Sequence, residues 1–124
     1  MKKAIRISAA VLLVVLALSL IACGSVSKDY ADKINNAAKN KEHLTYSAVI
    51  GDLGDPAVNG VVTLGGSGES GACIWYKGCK TVSEAKEKKD KGEKIESITI
   101  TFLDGKATAA VYLADADPND NDKQ

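Results

Sequence analysis

The chain has 124 residues, of which 16 are basic and 16 acidic. This length is enough for one small domain and too short for two sizeable cores. Three of the basic residues (Lys2, Lys3 and Arg6) lie before residue 23, so the chain from residue 23 onward carries 13 basic and 16 acidic side chains and a net charge of −3. A mildly acidic protein argues against nucleic acid or anionic headgroups as the main partner, because both demand a basic patch.

The first 22 residues have the pattern of a secretory signal. Lys2 and Lys3 start the chain, and an apolar run from Ile7 to Ala22 is interrupted only by Ser8 and Ser19. In such a segment the positive charges stay cytoplasmic while the apolar part enters the translocon. The run is slightly short for a permanent span, which needs ~20 apolar residues. We therefore predict that residues 1–22 are removed, and the alternative is an uncleaved anchor helix.

The end of this segment resembles the lipobox of bacterial lipoproteins. Leu20 stands three residues before Cys23, and the small Ala22 stands directly before it. The resemblance implies that Cys23 becomes the mature N-terminus and carries a thioether-linked diacylglycerol, with residues 23–28 as a lipidated tether. Two or three acyl chains make such an anchor stable, whereas one is marginal. The protein would then lie on the extracytoplasmic side of the cell membrane or the outer membrane.

Two further cysteines, Cys73 and Cys79, form an even pair in a chain predicted to be exported. Disulfides persist outside the cytoplasm, so we predict a local disulfide around residues 74–78. The sequence leaves this open, because a disulfide needs α-carbons roughly 4.4–6.8 Å apart. His43 is the only other soft ligand after Cys23, which falls short of the four ligands of a structural zinc site. We predict no metal and no cofactor.

Two helices are predicted to open the domain. Tyr30, Ile34, Ala37 and Ala38 recur at helical spacing, which predicts a first helix ending near Asn40. A second helix is predicted to start at the capping hydroxyl of Thr45, with Leu44 and Val49 placed as a hydrophobic staple. It ends at Gly54-Asp55-Pro56, where glycine permits the cap and proline cannot continue the helix.

Four strands are predicted to follow. The first is a β-branched run over residues 58–64 that meets a glycine-rich hairpin loop, and the second covers residues 72–77 with Ile74 and Tyr76 on one face and Cys73 and Trp75 on the other. Residues 81–94 alternate in charge, which favours a solvated excursion with at most a short helix over residues 83–89. The third and fourth strands cover residues 95–103 and 107–113, joined by a tight Asp104-Gly105 turn. Residues 114–124 are predicted to be a disordered acidic tail.

These elements predict an α+β domain over residues 29–113, with two N-terminal helices packed on one face of a four-stranded antiparallel sheet. Thr45-Tyr46 opens a short helix, Leu53-Gly54-Asp55-Pro56 closes it, Trp75 lies in the second strand, and residues 100–106 (Ile-Thr-Phe-Leu-Asp-Gly-Lys) form the terminal hairpin. In that order the motifs resemble the β-lactamase-inhibitor-protein fold, which includes the SmpA/OmlA-type small lipoproteins. The Cys73/Cys79 pair and the charged excursion depart from that pattern.

No catalytic constellation emerges from the sequence. His43 is the only histidine, and it has no serine or cysteine motif beside it that would form a nucleophile–base pair. Asp52, Asp55 and Asp104 stand at helix-end and turn positions, where aspartate bonds to the local backbone. We predict that the protein is not an enzyme; a hydrolase with an unrecognised site is the weaker alternative.

A protein-binding role fits these features better. The resemblance implies binding of another protein through the exposed side of the sheet, and Trp75 and Tyr76 are the candidate contact residues because both faces of their strand are partly apolar. The alternative, that Trp75 fills the core, stays open. We therefore predict a lipid-anchored extracytoplasmic module of the bacterial cell envelope that binds an envelope protein and no nucleic acid. A structural envelope lipoprotein without a discrete ligand is the other alternative.

Overall fold

Three helices and five strands make up the described part of the chain, which is residues 25–63 and 68–119 of a computed structural model. The helices are α1 (Lys28–Lys39), α2 (Tyr46–Leu53) and α3 (Val82–Asp90), and the strands are β1 (Val58–Asn59), β2 (Val62–Thr63), β3 (Glu69–Tyr76), β4 (Ser97–Leu103) and β5 (Lys106–Leu113). The predicted α+β class and the antiparallel sheet are confirmed. The short helix considered over residues 83–89 is present as α3, and the predicted count of four strands was too low by one.

Side-chain caps fix where the first two helices begin. The Ser27 hydroxyl accepts a hydrogen bond from the Tyr30 N–H (3.1 Å), and the Thr45 hydroxyl accepts one from the Ala48 N–H (3.1 Å). Each cap satisfies one of the backbone donors that the first turn of a helix leaves without a partner. α2 ends at Gly54, whose φ of +80° lies in the left-handed region that glycine adopts readily. Both predicted N-terminal helices are confirmed.

The sheet has the order β1-β3-β4-β5, and β2 pairs with the other end of β3. β1 and β2 occupy the run predicted as one strand over residues 58–64 and keep a single register along β3, with Val58 opposite Ile74 and Val62 opposite Ser70. The Gly60 N–H donates to the Ala72 carbonyl (2.9 Å), and a β-carbon at Gly60 would lie 2.7 Å from that oxygen. Only glycine leaves room for this close backbone approach between the two short edge strands.

The main core lies between one face of the sheet and the helices α1 and α2. On β3 and β4 the residues that face the helices alternate with residues that face the other way, as the two-residue period of a strand requires. The large buried side chains of this core come from both helices and both central strands: Tyr30, Ile34, Val49, Trp75, Ile98, Ile100 and Phe102. Ile98, Ile100 and Phe102 of β4 thus share the face that the helices cover.

A smaller cluster lies at one end of the sheet, on its other face. Here Ala85 of α3 packs with Tyr76, Cys79 and Ile95, and with Ala116 beyond β5. Residues 81–94 are therefore not a purely solvated excursion, since α3 buries a small apolar contact. The predicted disordered tail is also wrong for residues 114–119, because Ala116 is buried and its N–H donates to the Ile95 carbonyl (2.7 Å).

Candidate functional site

Trp75 and Tyr76, the predicted partner-binding residues, are both buried in the structure. Each side chain is 3% exposed, and the Trp75 indole N–H donates to the Gly54 carbonyl (2.9 Å) at the end of α2. Because the strand alternates, Trp75 enters the main core and Tyr76 enters the smaller cluster. Neither side chain is accessible to a partner, so the prediction that Trp75 and Tyr76 form the binding surface is wrong. The alternative prediction, that Trp75 fills the core, is confirmed.

The disulfide predicted between Cys73 and Cys79 is absent, and both thiols are free and buried. Cys73 faces the main core, whereas Cys79 follows the end of β3 and packs in the smaller cluster on the other side of the sheet. The Cys73 thiol donates to the Asn59 side-chain oxygen (3.5 Å), and burial raises the pKa of this thiol. The two thiols thus belong to separate apolar environments.

Cys23, the predicted lipid-attachment residue, and the signal segment before it lie outside the described residues. The predicted tether over residues 23–28 is only partly a tether, because Val26 is buried in the main core and Ser27 caps α1. The domain therefore begins three residues after Cys23. Among the described residues, no helix has the length and apolar character to cross a membrane.

Two of the residues considered for catalysis, His43 and Asp52, have structural contacts. The His43 ring nitrogen Nδ1 lies 3.0 Å from the Ala107 carbonyl, and an Asp52 carboxylate oxygen accepts a hydrogen bond from the Tyr30 hydroxyl (2.8 Å). Burial and the Asp52 carboxylate together raise the pKa of Tyr30. Among the described residues, no three His, Cys, Asp or Glu side chains come close enough to hold a metal ion.

An open cleft of about 790 Å³ lies where the described chain begins. Its walls come from the first residues of the described chain, the end of α2 and the end of β3 with the loop after it: residues 25–26, 52–55 and 75–80. Asp52 and Asp55 stand on the α2 wall, and Lys77 and Lys80 stand on the β3 wall. The cleft is thus lined by both charge signs.

One face of the sheet beyond α3 is open and carries exposed apolar side chains. On β5, Val111 is 58% exposed and pairs with Thr99, and Leu113 is 49% exposed and pairs with Ser97. Leu103, at the end of β4, is 59% exposed. Side chains paired directly across two strands point to the same face, so Val111 and Leu113 lie on the face opposite the main core. We call the set Leu103, Val111, Leu113, Thr99 and Thr101 the open-face patch.

Sequence reasoning missed the apolar part of this patch. The available signal is the alternation along β4, where Thr99 and Thr101 stand between the apolar Ile98, Ile100 and Phe102 and therefore face the opposite way. On β5 nearly every residue from Ala107 to Leu113 is apolar or small, so the sequence does not show which set is buried. The structure resolves this because small Ala107 and Ala110 face the core, which leaves the larger Val111 exposed.

Comparison of the chain with known protein families, with curated proteins and with solved structures finds no match to any of them. The resemblance to the β-lactamase-inhibitor-protein fold rests on the order of the motifs quoted above.

At the end of the sheet near the cleft, ion pairs and a hydrogen bond connect residues of neighbouring elements. The Glu96 carboxylate accepts a hydrogen bond from the Tyr112 hydroxyl and pairs with Lys77 (3.2 Å), and these contacts lower the pKa of Glu96. Asp115 pairs with Lys89 of α3 (2.6 Å), which lowers the pKa of Asp115. β3, β4, β5 and α3 are thus joined at this end.

Proposed function

We propose that this protein is a lipid-anchored module of the bacterial cell envelope that binds another envelope protein through the open-face patch. The observation that carries the proposal is the exposure of Leu103, Val111 and Leu113 on one sheet face. Val111 and Leu113 are next neighbours on this face, and the Thr101–Ala109 pair separates them from Leu103. Exposed apolar side chains grouped on one face favour an interaction site. The resemblance to a fold of protein binders supports the same reading, with the contact moved from Trp75 and Tyr76 to the open-face patch.

The membrane attachment rests on the sequence before residue 25. The basic start, the apolar run and Leu20-Ile21-Ala22-Cys23 all support lipid attachment at Cys23. Changing Cys23 to Ala should abolish lipid labelling and block processing of the precursor. Persistence of a labelled, processed protein in that variant would refute the anchor.

Photo-crosslinking in living cells tests the binding surface. A photoreactive amino acid at Val111 should yield one dominant crosslinked envelope protein, whereas the same amino acid at Asn36, an exposed position on α1, should yield none. Identification of that product by mass spectrometry would name the partner. Equal crosslinking from both positions, or none from either, would contradict the proposed surface.

A pair of charge variants provides a matched control. Val111→Lys with Leu103→Lys places two positive charges on the open-face patch, and Asn36→Lys with Ser47→Lys places the same two charges on exposed helix positions. We expect the first pair to reduce capture of the partner at least about tenfold, the equivalent of about 1.4 kcal/mol. The second pair should leave capture unchanged. Both variants should unfold within a few degrees of the parent protein.

A further inference from the structure

Asn59 is the only one of the six asparagines in the sequence that is followed by glycine. The backbone nitrogen after an asparagine can attack the side-chain amide carbon and close a succinimide ring. A side chain on the attacking residue obstructs this approach, whereas glycine has no β-carbon and adopts the backbone conformations that the ring needs. Among the asparagines of this chain, Asn59 therefore has the following residue that obstructs ring closure least.

The reaction needs only water as a co-reactant. The Gly60 nitrogen loses its proton and bonds to Cγ of Asn59, and the side-chain nitrogen leaves with that proton as ammonia. Water then opens the ring at one of its two carbonyls. Opening at the side-chain carbonyl gives an ordinary aspartate. Opening at the backbone carbonyl gives an isoaspartate, whose main chain runs through Cβ and Cγ.

The fold holds the attacking nitrogen in the sheet. Asn59 ends β1, and the Gly60 N–H donates to the Ala72 carbonyl of β3 (2.9 Å). The two backbones approach so closely that a β-carbon at Gly71 would lie 2.2 Å from the Gly60 carbonyl oxygen. Ring closure requires the Gly60 nitrogen to leave this hydrogen bond and turn toward the Asn59 side chain. The pairing with β3 therefore opposes the reaction.

The Asn59 amide is also held in place. Its oxygen accepts hydrogen bonds from the Val61 N–H (3.0 Å) and the Cys73 thiol (3.5 Å), and its nitrogen donates to the Tyr46 hydroxyl (3.5 Å). The residue as a whole is exposed, so water reaches it. Release of the Gly60 nitrogen, and not access of water, is thus the step that the fold controls.

We propose that Asn59 is a deamidation site that is gated by the pairing of Gly60 with β3. The paired edge keeps Asn59 intact, and local opening of that edge lets it convert to isoaspartate or aspartate. β1 and β2 have two residues each and lie beside β3 at the edge of the sheet. Such short edge segments open at lower free energy than the centre of a fold.

The isoaspartyl product does not fit the original edge. It adds one methylene group to the main chain between Asn59 and Gly60, at the point where the backbones of Gly60 and Gly71 have no spare room. The pairing of β1 with β3 is then not restored, and β3 is left with unpaired backbone groups that promote association between chains.

Peptide mass spectrometry of the full chain, incubated folded or in urea in the same mildly alkaline buffer, tests the site and the gate. In urea, Asn59 should deamidate faster than Asn40, which is followed by lysine. In the folded chain, deamidation of Asn59 should be at least about tenfold slower than in urea. Faster conversion of Asn40 in urea would overturn the site, and equal rates at Asn59 in the two states would overturn the gate.

Two variants separate local opening of this edge from unfolding of the whole chain. Gly71→Ala forces β3 away from Gly60 and should speed deamidation of Asn59 in the folded chain at least about threefold. Asn35→Ala, which removes a contact at the opposite edge of the sheet, should leave the rate unchanged. Equal acceleration by both variants would overturn local gating. If Gly71→Ala does not fold, an accelerated rate in Asn35→Ala overturns local gating and an unchanged rate supports it.

The products provide a further measurement with a matched control. The purified isoaspartyl form should unfold at a lower temperature than Asn59→Asp, which has the same charge and no added methylene. It should also associate more in size-exclusion chromatography. Equal unfolding temperatures and equal association of the two forms would overturn the predicted loss of the edge.

Discussion

Trp75 is the residue whose environment most changes the interpretation of the sequence. Its indole is buried in the main core and bonded to the Gly54 carbonyl, so its truncation should act on folding. We expect Trp75→Ala to lower the free energy of unfolding by about 3–5 kcal/mol, as measured by urea denaturation. Trp75→Phe, which keeps most of the apolar volume and loses the hydrogen bond, should cost less. Unchanged stability of Trp75→Ala together with weaker partner capture would place the side chain at an interface instead.

Gly71 and Gly51 make a matched pair of glycines with opposite expected effects. Gly71 has a φ of +140°, and a β-carbon there would lie 2.2 Å from the Gly60 carbonyl oxygen. Because both strands would have to separate, Gly71→Ala should destabilise the fold by more than about 1 kcal/mol. A β-carbon at Gly51, inside α2, would have no other atom within 4 Å, so Gly51→Ala should stabilise the fold by about 0.5–1 kcal/mol. Thermal or chemical unfolding measures both, and effects of the same sign would contradict the close approach of β3 to Gly60.

The ends of α2 and the turn between β4 and β5 could be predicted from the sequence, because local interactions form them. Thr45 and Gly54 bound α2, and Asp104-Gly105 joins β4 to β5, because caps and tight turns depend on a few neighbouring residues. The packing of α3 was not predictable in this way. Its sequence is mostly Lys and Glu, and Ala85 is its only buried residue, so its apolar signal is too weak to read.

The same limit applies to the candidate site. A two-residue period shows that Cys73 and Trp75 share a face, but it does not show which face the helices cover. That choice depends on contacts between residues distant in sequence, such as the Trp75 indole with Gly54. The sequence therefore pointed to β3 for a binding surface, whereas the exposed apolar side chains of the sheet face opposite the main core lie on β4 and β5.

Asn35 protects an edge of the sheet in a way that can be tested. Its side-chain amide donates to the Ala110 carbonyl (2.9 Å) and accepts from the Ala110 N–H (2.9 Å), so α1 occupies backbone groups of the edge strand β5. Asn35→Ala should lower the free energy of unfolding by about 1–3 kcal/mol, because it leaves both Ala110 groups without these bonds.

The control for this change is Asn36→Ala on the same helix, where the gain in helix propensity is equal and no bond to β5 is lost. A freed strand edge also promotes pairing between chains, so Asn35→Ala should associate more at high concentration in size-exclusion chromatography. Equal stability of the two variants would show that the Asn35 amide contributes nothing to the edge.

For the molecule as a whole, the lowered pKa values of Glu96 and Asp115 predict loss of stability in acid. Both carboxylates bind protons less readily in the folded chain than in the unfolded one, where Glu96 would titrate near 4.5. Their contribution is present above the unfolded pKa and is lost as the pH falls through the folded pKa. We therefore expect the thermal unfolding temperature to decrease when the pH is lowered below about 4.5.

Tyr112→Phe should raise the pKa of Glu96, measured by carboxyl NMR, and an unchanged pKa would contradict the hydrogen bond.

The two faces of the sheet are covered unequally, and this predicts how the molecule opens. Among the described residues, the main core has 12 buried residues and the cluster under α3 has five. Segments with fewer buried apolar contacts open at lower free energy than the whole fold. Amides of α3 should therefore exchange with deuterium faster than those of α1 and β4.

The ion pair between Asp115, which follows β5, and Lys89 of α3 offers a variant that tests this difference in exchange rate. Asp115→Asn removes the charge that pairs with Lys89, so it should speed exchange in α3 while leaving α1 and the centre of β4 unchanged. Asp32→Asn, an equal change of charge at an exposed position on α1, should leave α3 exchange as it is. If α3 and β4 exchange at one common rate in the parent protein, the two clusters open as a single unit, and α3 has no independent mobility.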